Sequence, residues 1–473
     1  MRKTKDNVGL NLRGGGAKAV KAFLQKPGAA SVTASVLSIV IGLVFGLIVL
    51  LCLDAGRALP AFTKILVTGA ANPDKFAKVL YQAAPLIMTG LAVAFAFKTG
   101  LFNIGATGQY TVGAMFALLA ALSWKFPWWA CLILAILGGA AWGAIPGLFK
   151  ALLNVNEVIT SIMFNWIGLF LVNLVINNVP EMLGSYYGPS GAERTARLAV
   201  ANPDAIIPKW GLDKLLGSNY MNIGIFFAII AAIIIYVILQ KTTFGYELKA
   251  CGLNKHAARY AGIKSGRSII LSMTISGALA GLGGGIYFLS GVAEYVLTKS
   301  LLATGFNGIP VALLGASNPI AVIFSGIFIS YIFVGGEAMQ PEFTKEIVDI
   351  ISAAIIYVSA LSLLVKTGLE KLAARKKRER EAALETNGVE AVAAAPENGA
   401  EFIAAAPENG VPLEPTDLAP GETGRGILPD AVLKNREEAG EEEYTASRRP
   451  SGEPNIDMSA ENDNTTTDGE EAL

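Results

Sequence analysis

Long apolar runs separated by short polar stretches fill residues 31–365 and predict ten helical segments near 31–53, 79–97, 103–124, 127–149, 157–177, 221–240, 268–290, 304–317, 318–335 and 347–365. The runs are continuous and do not alternate at period two, so they read as helices and not barrel strands. Most reach the roughly 20 residues a bilayer crossing needs. The eighth and ninth are short, and Asn318-Pro319 marks the turn between them. One stretch breaks the pattern. "KTGLFNIGATGQYTVGAM", Lys98 to Met115, places Asn103, Thr107 and Gln109 beside Gly100, Gly105 and Gly108. Each glycine weakens a helix by roughly 1 kcal/mol. A broken or re-entrant segment is expected, a feature membranes tolerate only where the backbone lines protein or a water-filled cavity.

The fold class expected is therefore an all-α polytopic membrane protein of about ten transmembrane helices, with a broken or re-entrant segment and a disordered C-terminal tail. Composition agrees: 53% of the 473 residues are hydrophobic and 16% charged, against about 25% charged in soluble domains. The zero net charge is a cancellation. Residues 381–473 hold 22 acidic and 5 basic residues, leaving 16 and 33 of the 38 of each in residues 1–380. Three regions follow: a basic segment 1–30, a transmembrane domain 31–370, and a tail 371–473, acidic and expected to be disordered beyond 381. The tail repeats "AAAPENG" at 393–399 and 404–410. No cleavable signal peptide is expected, because the first 30 residues are polar and Gly-rich.

Charge orients the segments. Residues 1–30 carry seven Lys/Arg and one Asp, and residues 241–267 carry six and one Glu. Positive residues stay inside. Ten crossings then place both termini and the 241–267 loop in the cytoplasm. They place residues 178–219, with four acidic and four basic residues, outside.

The chemistry is more telling by type than by motif. No G-x-x-x-x-G-K-[ST] phosphate loop occurs, His256 is the single histidine, and Cys52, Cys131 and Cys251 have no ligand spacing. No catalytic or metal site is expected. The segment interiors lack Asp, Glu, Lys and Arg, which counts against proton coupling. They do carry neutral hydrogen-bonding groups: Asn103, Thr107, Gln109 and Thr111, then Thr160, Ser161 and Asn165, then Thr304 and Asn307. A polar path for a neutral solute is one reading; interhelical glue, worth on average under about 1 kcal/mol each, is the other. The path is expected to use Asn103, Thr107, Gln109, Asn165, Asn307 and Glu157. Asn154-x-x-Glu157 also resembles a helix capping box, the favoured role for Glu157. Two glycine ladders, Gly139/Gly143/Gly147 and Gly277/Gly281/Gly285, predict close helix packing.

The loop "KTTFGYELKACGLNKHAARYAGIKSGRS", 241–268, mixes aromatic and small residues with its basic ones. Ala250 to Tyr260 is expected to form a short helix. A solvated loop explains the charges but not Phe244, Tyr246, Leu248 and Tyr260, which suit a docking surface. The residues assigned to docking are Phe244, Gly245, Tyr246, Gly252, Leu253, Asn254, Ala257, Tyr260 and Gly262.

Taken in order, "GLFNIGATGQ", "NEVITSIMFNWI" and "FGYELKACGLNKHAARYAGI" resemble bacterial ABC importer permeases of the branched-chain amino acid/ribose superfamily, in the nucleoside or simple-sugar branch. The resemblance covers roughly residues 30–370. It implies a multi-pass subunit of the bacterial plasma membrane that is not itself an enzyme. It implies no cofactor on this chain, with ATP and Mg on a partner ATPase. It also implies a second homologous permease and a lipoprotein or periplasmic substrate-binding protein; no nucleic acid is expected. The family's NIGxEGQ stretch carries an acidic residue where this chain has Thr107, which bears on substrate. Nucleosides are the expected cargo, with simple sugars or branched-chain amino acids as alternatives. A self-sufficient secondary transporter or channel is the competing class.

Overall fold

The structure is a computed structural model. It describes residues 29–188, 193–340, 342–361, 367, 368, 371 and 375. Residues 1–28 and the segment beyond 375 lie outside the described residues, so the expectations for the basic N-terminus and the acidic tail are not addressed by it.

Thirteen helices carry the fold among the described residues. They are α1 (Ala29–Leu53), α2 (Ala55–Ala71), α3 (Pro73–Lys98), α4 (Ala106–Leu122), α5 (Trp128–Leu153), α6 (Glu157–Asn178), α7 (Gly224–Lys241), α8 (Thr243–Leu253), α9 (Lys255–Tyr260), α10 (Ser265–Phe288), α11 (Ala303–Leu314), α12 (Pro319–Glu337) and α13 (Lys345–Ala360). Short helical turns fill the 179–223 connection. Six of the helices, α3, α5, α6, α7, α10 and α12, are long and apolar enough to cross a membrane.

Local chemistry sets the boundaries. Asn72 caps α3 by accepting from the Lys75 amide at 2.9 Å, and Pro73 occupies the first turn, where its missing N–H costs nothing. Asn318 caps α12 by accepting from the Ile320 amide at 3.0 Å, ahead of Pro319. Helix α2 has no counterpart among the ten expected segments. Asp54 caps it, and the basic residues Arg57 and Lys64 within it lower its mean hydropathy below that of a span. Tyr331 of α12 holds it by donating to the Leu66 carbonyl at 2.5 Å.

Helix α3 is buried along nearly its whole length and forms the axis of the bundle. Helices α7, α10, α11 and α12 pack around it. A separate apolar cluster joins Leu50 of α1, Ile65 of α2, Ile332 of α12 and Ile351 and Ile355 of α13. The two glycine ladders face each other. A methyl group on Gly139 would lie 2.7 Å from the Gly281 Cα, and one on Gly143 would lie 2.9 Å from the Gly277 Cα. Backbones this close gain dispersion energy that bulkier helices cannot, the chief attraction between helices in lipid.

The bundle has two ends. Helices α8 and α9 define one, joined by the C-terminus of α3: a methyl on Gly100 would come within 2.7 Å of the Gly252 carbonyl oxygen. At the opposite end the 179–223 connection is tied down by Glu294, which pairs with Arg197 at 2.8 Å and Arg194 at 3.5 Å. Asn202 donates there to the Ala121 and Phe126 carbonyls, and Tyr295 donates its amide to the Thr195 hydroxyl.

Candidate functional site

The glycine-rich stretch does interrupt a helix. Helix α3 ends at Lys98, α4 begins at Ala106, and Gly100 between them has φ 74°, a left-handed conformation that favours glycine. Every polar residue of the break is fully buried, and most are spent on bracing it. Asn103 donates to Gln109 at 2.7 Å, and Gln109 donates back at 3.1 Å. Asn103 also donates to Ser276 of α10 at 2.7 Å, and Ser276 donates in turn to the Ala92 carbonyl of α3 at 2.6 Å. Asn165 of α6 clamps both sides of the break. Its oxygen accepts the Gly108 amide at 2.8 Å, and its nitrogen donates to the Ile104 carbonyl at 3.1 Å. These bonds satisfy the backbone groups a broken helix leaves open.

So Asn103, Gln109 and Asn165 turn toward one another. Two hydroxyls beside them, on Thr107 and Ser161, are buried with no partner. Replacing Gln109 alone with leucine strands the buried Asn103 side-chain oxygen, at a cost of roughly 1–3 kcal/mol. Replacing both Asn103 and Gln109 with leucine should cost less than the two single changes added together, as residues in one network do. Thermal unfolding of the purified variants in detergent checks this; strictly additive losses would show that the pair is not a unit.

Asn307 lies elsewhere, in a cavity of about 430 Å³ between α3, α10, α11, α12 and α13, at the end opposite α8 and α9. Gln82, Tyr287, Thr304, Asn307 and Ser352 line it with neutral polar groups. The Gln82 Oε1 and the Ser352 hydroxyl are buried and have no partner. Glu337, Lys345 and Asp349 add charge, so this cavity is not the uncharged path expected from the segment interiors. Glu337 is held in place by an ion pair with Lys78 and by the Gln82 amide at 3.1 Å. Lys345, Asp349 and Ser352 are spaced i, i+4, i+7 and share one face of α13. That spacing is the signal for this site. In the sequence the charged pair stands at a segment end, where charge also marks the boundary of an apolar run.

Glu157 lies away from both features. It opens α6 and pairs with Lys150 of α5 at 2.8 Å. The capping box is corrected by the structure: Asn156, not Asn154, caps α6, accepting from the Val158 amide at 2.8 Å. Asn154 instead ends α5 in a left-handed conformation, φ 53°, which asparagine tolerates.

The 241–268 loop is also more structured than one helix from Ala250 to Tyr260. It forms α8 and α9, separated at Asn254, whose side chain caps α9 through the His256 and Ala257 amides at 3.0 Å. The residues assigned to docking divide. Gly245 is buried against Ile238 and Leu239, Phe244 is half-buried, Gly252 meets Gly100, and Gly262 turns the chain with φ 82°. Tyr246, Leu253 and Tyr260 are 69%, 89% and 95% exposed, and Ala257 is exposed beside them. Large apolar side chains this accessible on a basic loop need a covering surface.

Comparison with known proteins agrees with this architecture. Residues 76–360 match the family model described as branched-chain amino acid transport system / permease component. The chain is similar to the nucleoside ABC transporter permease protein NupB of Lactococcus lactis subsp. cremoris, 36% identical over 324 residues that cover 67% of this chain and 88% of NupB. It is similar to the guanosine ABC transporter permease protein NupP of Bacillus subtilis, 37% identical over 302 residues, 62% of this chain and 83% of NupP. It is also similar to the glucose ABC transporter permease protein TsgB13 of Haloferax volcanii, 34% identical over 285 residues, 59% of this chain and 74% of TsgB13. No solved structure matches. The matched residues run from the N-terminal turns of α3 to the end of α13 and so include the braced break, the cavity and the exposed loop; this chain belongs to the branched-chain amino acid transport system / permease component family, as a multi-pass membrane transport subunit.

Proposed function

We propose that this chain is the membrane-spanning subunit of an ATP-driven importer for nucleosides. The observation that carries the reading is the cavity: its lining offers amides and hydroxyls from Gln82, Thr304, Asn307 and Ser352. A neutral solute rich in hydrogen-bonding groups exchanges hydration for such contacts at little net cost. The nucleoside and guanosine permeases among its relatives support the cargo class. The glucose permease supports a second reading, simple sugars, through the same chemistry.

On this reading the polypeptide crosses the membrane ten times, with both termini and α8–α9 in the cytoplasm. The seven Lys/Arg of residues 1–30 and the six of 241–267 support that orientation. A separate ATPase chain docks on α8–α9 and holds the ATP and Mg. A second permease of the same family completes the membrane part, and an external binding protein delivers cargo to the cavity. The braced break at residues 99–105 forms part of the wall of the path.

Uptake of labelled uridine, adenosine, ribose, glucose and leucine by cells holding the whole importer tests the cargo. Nucleosides should be preferred; preferred uptake of leucine over every nucleoside overturns the assignment. The acidic tail should be dispensable, since its composition offers little to bury. A stop after Arg380 is expected to leave uptake within about 2-fold of the full chain, as loss of a polar tail with no core implies. Severe loss of uptake at normal membrane abundance would assign the tail a role in transport.

A further inference from the structure

The cavity's lining is not uniform, and the two kinds of group sit on different elements. Tyr287, Gln82 and Asn307 come from α10, α3 and α11. One face of the Tyr287 ring stacks on Tyr81, with centroids 5.3 Å apart and planes 19° apart, and Tyr81 in turn leans on Tyr220. That backing fixes the Tyr287 ring as one wall of the cavity. Two amides share the lining with it, Gln82 with an unpartnered buried oxygen and Asn307. A flat ring edged by amide donors and acceptors suits a planar heterocycle, which gains stacking on one face and hydrogen bonds at its rim.

Helix α13 contributes the other kind. Asp349 is one turn from Ser352, whose hydroxyl is buried, unpartnered and on the cavity wall. A carboxylate accepts from two adjacent hydroxyls at once, and the serine adds a donor and an acceptor. This is chemistry for a sugar diol. The buried Gln82 oxygen and Ser352 hydroxyl lose hydrogen bonds as long as nothing meets them.

Resting on the nucleoside reading above, we propose that this cavity holds a nucleoside by its two halves: the base against Tyr287 between Gln82 and Asn307, and the ribose hydroxyls against Asp349 and Ser352. Tyr287 and Asp349 are then the residues that select the cargo. The two halves span the join between the α3/α10 core and the α12/α13 side, so a free base or a free sugar engages only one of them.

The test uses the assembled importer in membrane vesicles, with uridine and adenosine as probes. Tyr287→Leu should lower nucleoside uptake roughly 10-fold or more, the scale of a lost base–aromatic stack. Tyr287→Phe should stay within about 2-fold, because the ring is kept. Asp349→Asn should lower uptake about 10-fold, the scale of a lost charge-assisted hydrogen bond. Co-purification of the ATPase with each variant reports assembly separately from transport. A second measurement does not depend on uptake: a maleimide should label Lys345→Cys, at an exposed position of the same lining, and uridine should slow that labelling while leucine does not. If the unmodified importer takes up nucleosides but Tyr287→Leu and Asp349→Asn transport normally, or uridine leaves the labelling rate unchanged, the site is wrong and the cargo reading survives. If the unmodified importer takes up no nucleoside, both fall.

Discussion

Replacing Leu253 and Tyr260 together with aspartate should abolish co-purification of the proposed ATPase partner, while the chain still inserts at normal abundance. The two side chains are 89% and 95% exposed, so the fold loses nothing when they change. Each is a large apolar group at the tip of a capped helix, with Asn254 between them fixing the angle of α9 against α8. Interfaces concentrate energy in a few such anchors, with losses of about 2 kcal/mol or more for each one truncated. Placing a carboxylate in an apolar pocket adds a desolvation cost to that loss. A pull-down from detergent-solubilised membranes decides it. Unchanged recovery of the ATPase would move the docking surface off α8 and α9.

Gly281→Leu should remove most folded protein from the membrane. A β-carbon at Gly281 would sit 2.8 Å from the Gly139 Cα and also collide with the Ala135 carbonyl. Those atoms belong to the backbone, so no rotamer change relieves the clash. Helices α5 and α10 must separate, forfeiting their contact along Gly139, Gly143, Gly277 and Gly281. Overpacking alone costs about 1–3 kcal/mol, and separating the pair adds the dispersion energy of the whole seam. Gly188→Ala, where a β-carbon meets nothing within 4 Å, should be silent. Fluorescence-detected size exclusion of tagged variants compares the two. A monodisperse Gly281→Leu peak of normal height would mean that this seam is looser than its geometry implies.

Much of this architecture was legible in the residues. Each expected segment contains a helix, because twenty apolar residues in a row leave the backbone one way to satisfy itself in lipid. The break was legible from Gly100, Gly105 and Gly108 crowding Asn103 and Gln109. What those amides do was not. Whether Asn103 faces a solute or Gln109 depends on a contact with Ser276, 173 residues away, and spacing carries no such information. Helix α2 was missed because Arg57, Pro60 and Lys64 lower the hydropathy of a segment that helix α12 nevertheless holds in place. The cavity was missed for a related reason. Its residues come mainly from five helices that are far apart in sequence. Thr304 and Asn307 on α11 and the Lys345, Asp349, Ser352 stripe on α13 left local traces, and neither points to the other.

The contact between Gly100 and Gly252 joins α8 directly to the break after α3. Thr99 and Gly100 touch α8 backbone to backbone, with no side chain between them to bend or rotate. A flexible spacer would absorb a small rotation of α8 as rotamer changes; bare backbone has no such slack. Three residues past Gly100, Asn103 is bolted to Gln109 and Ser276, and through Ser276 to Ala92 of the central helix. A displacement of α8 would therefore bear directly on the break at the root of α4. The closeness of that joint rests on two positions having no side chain at all.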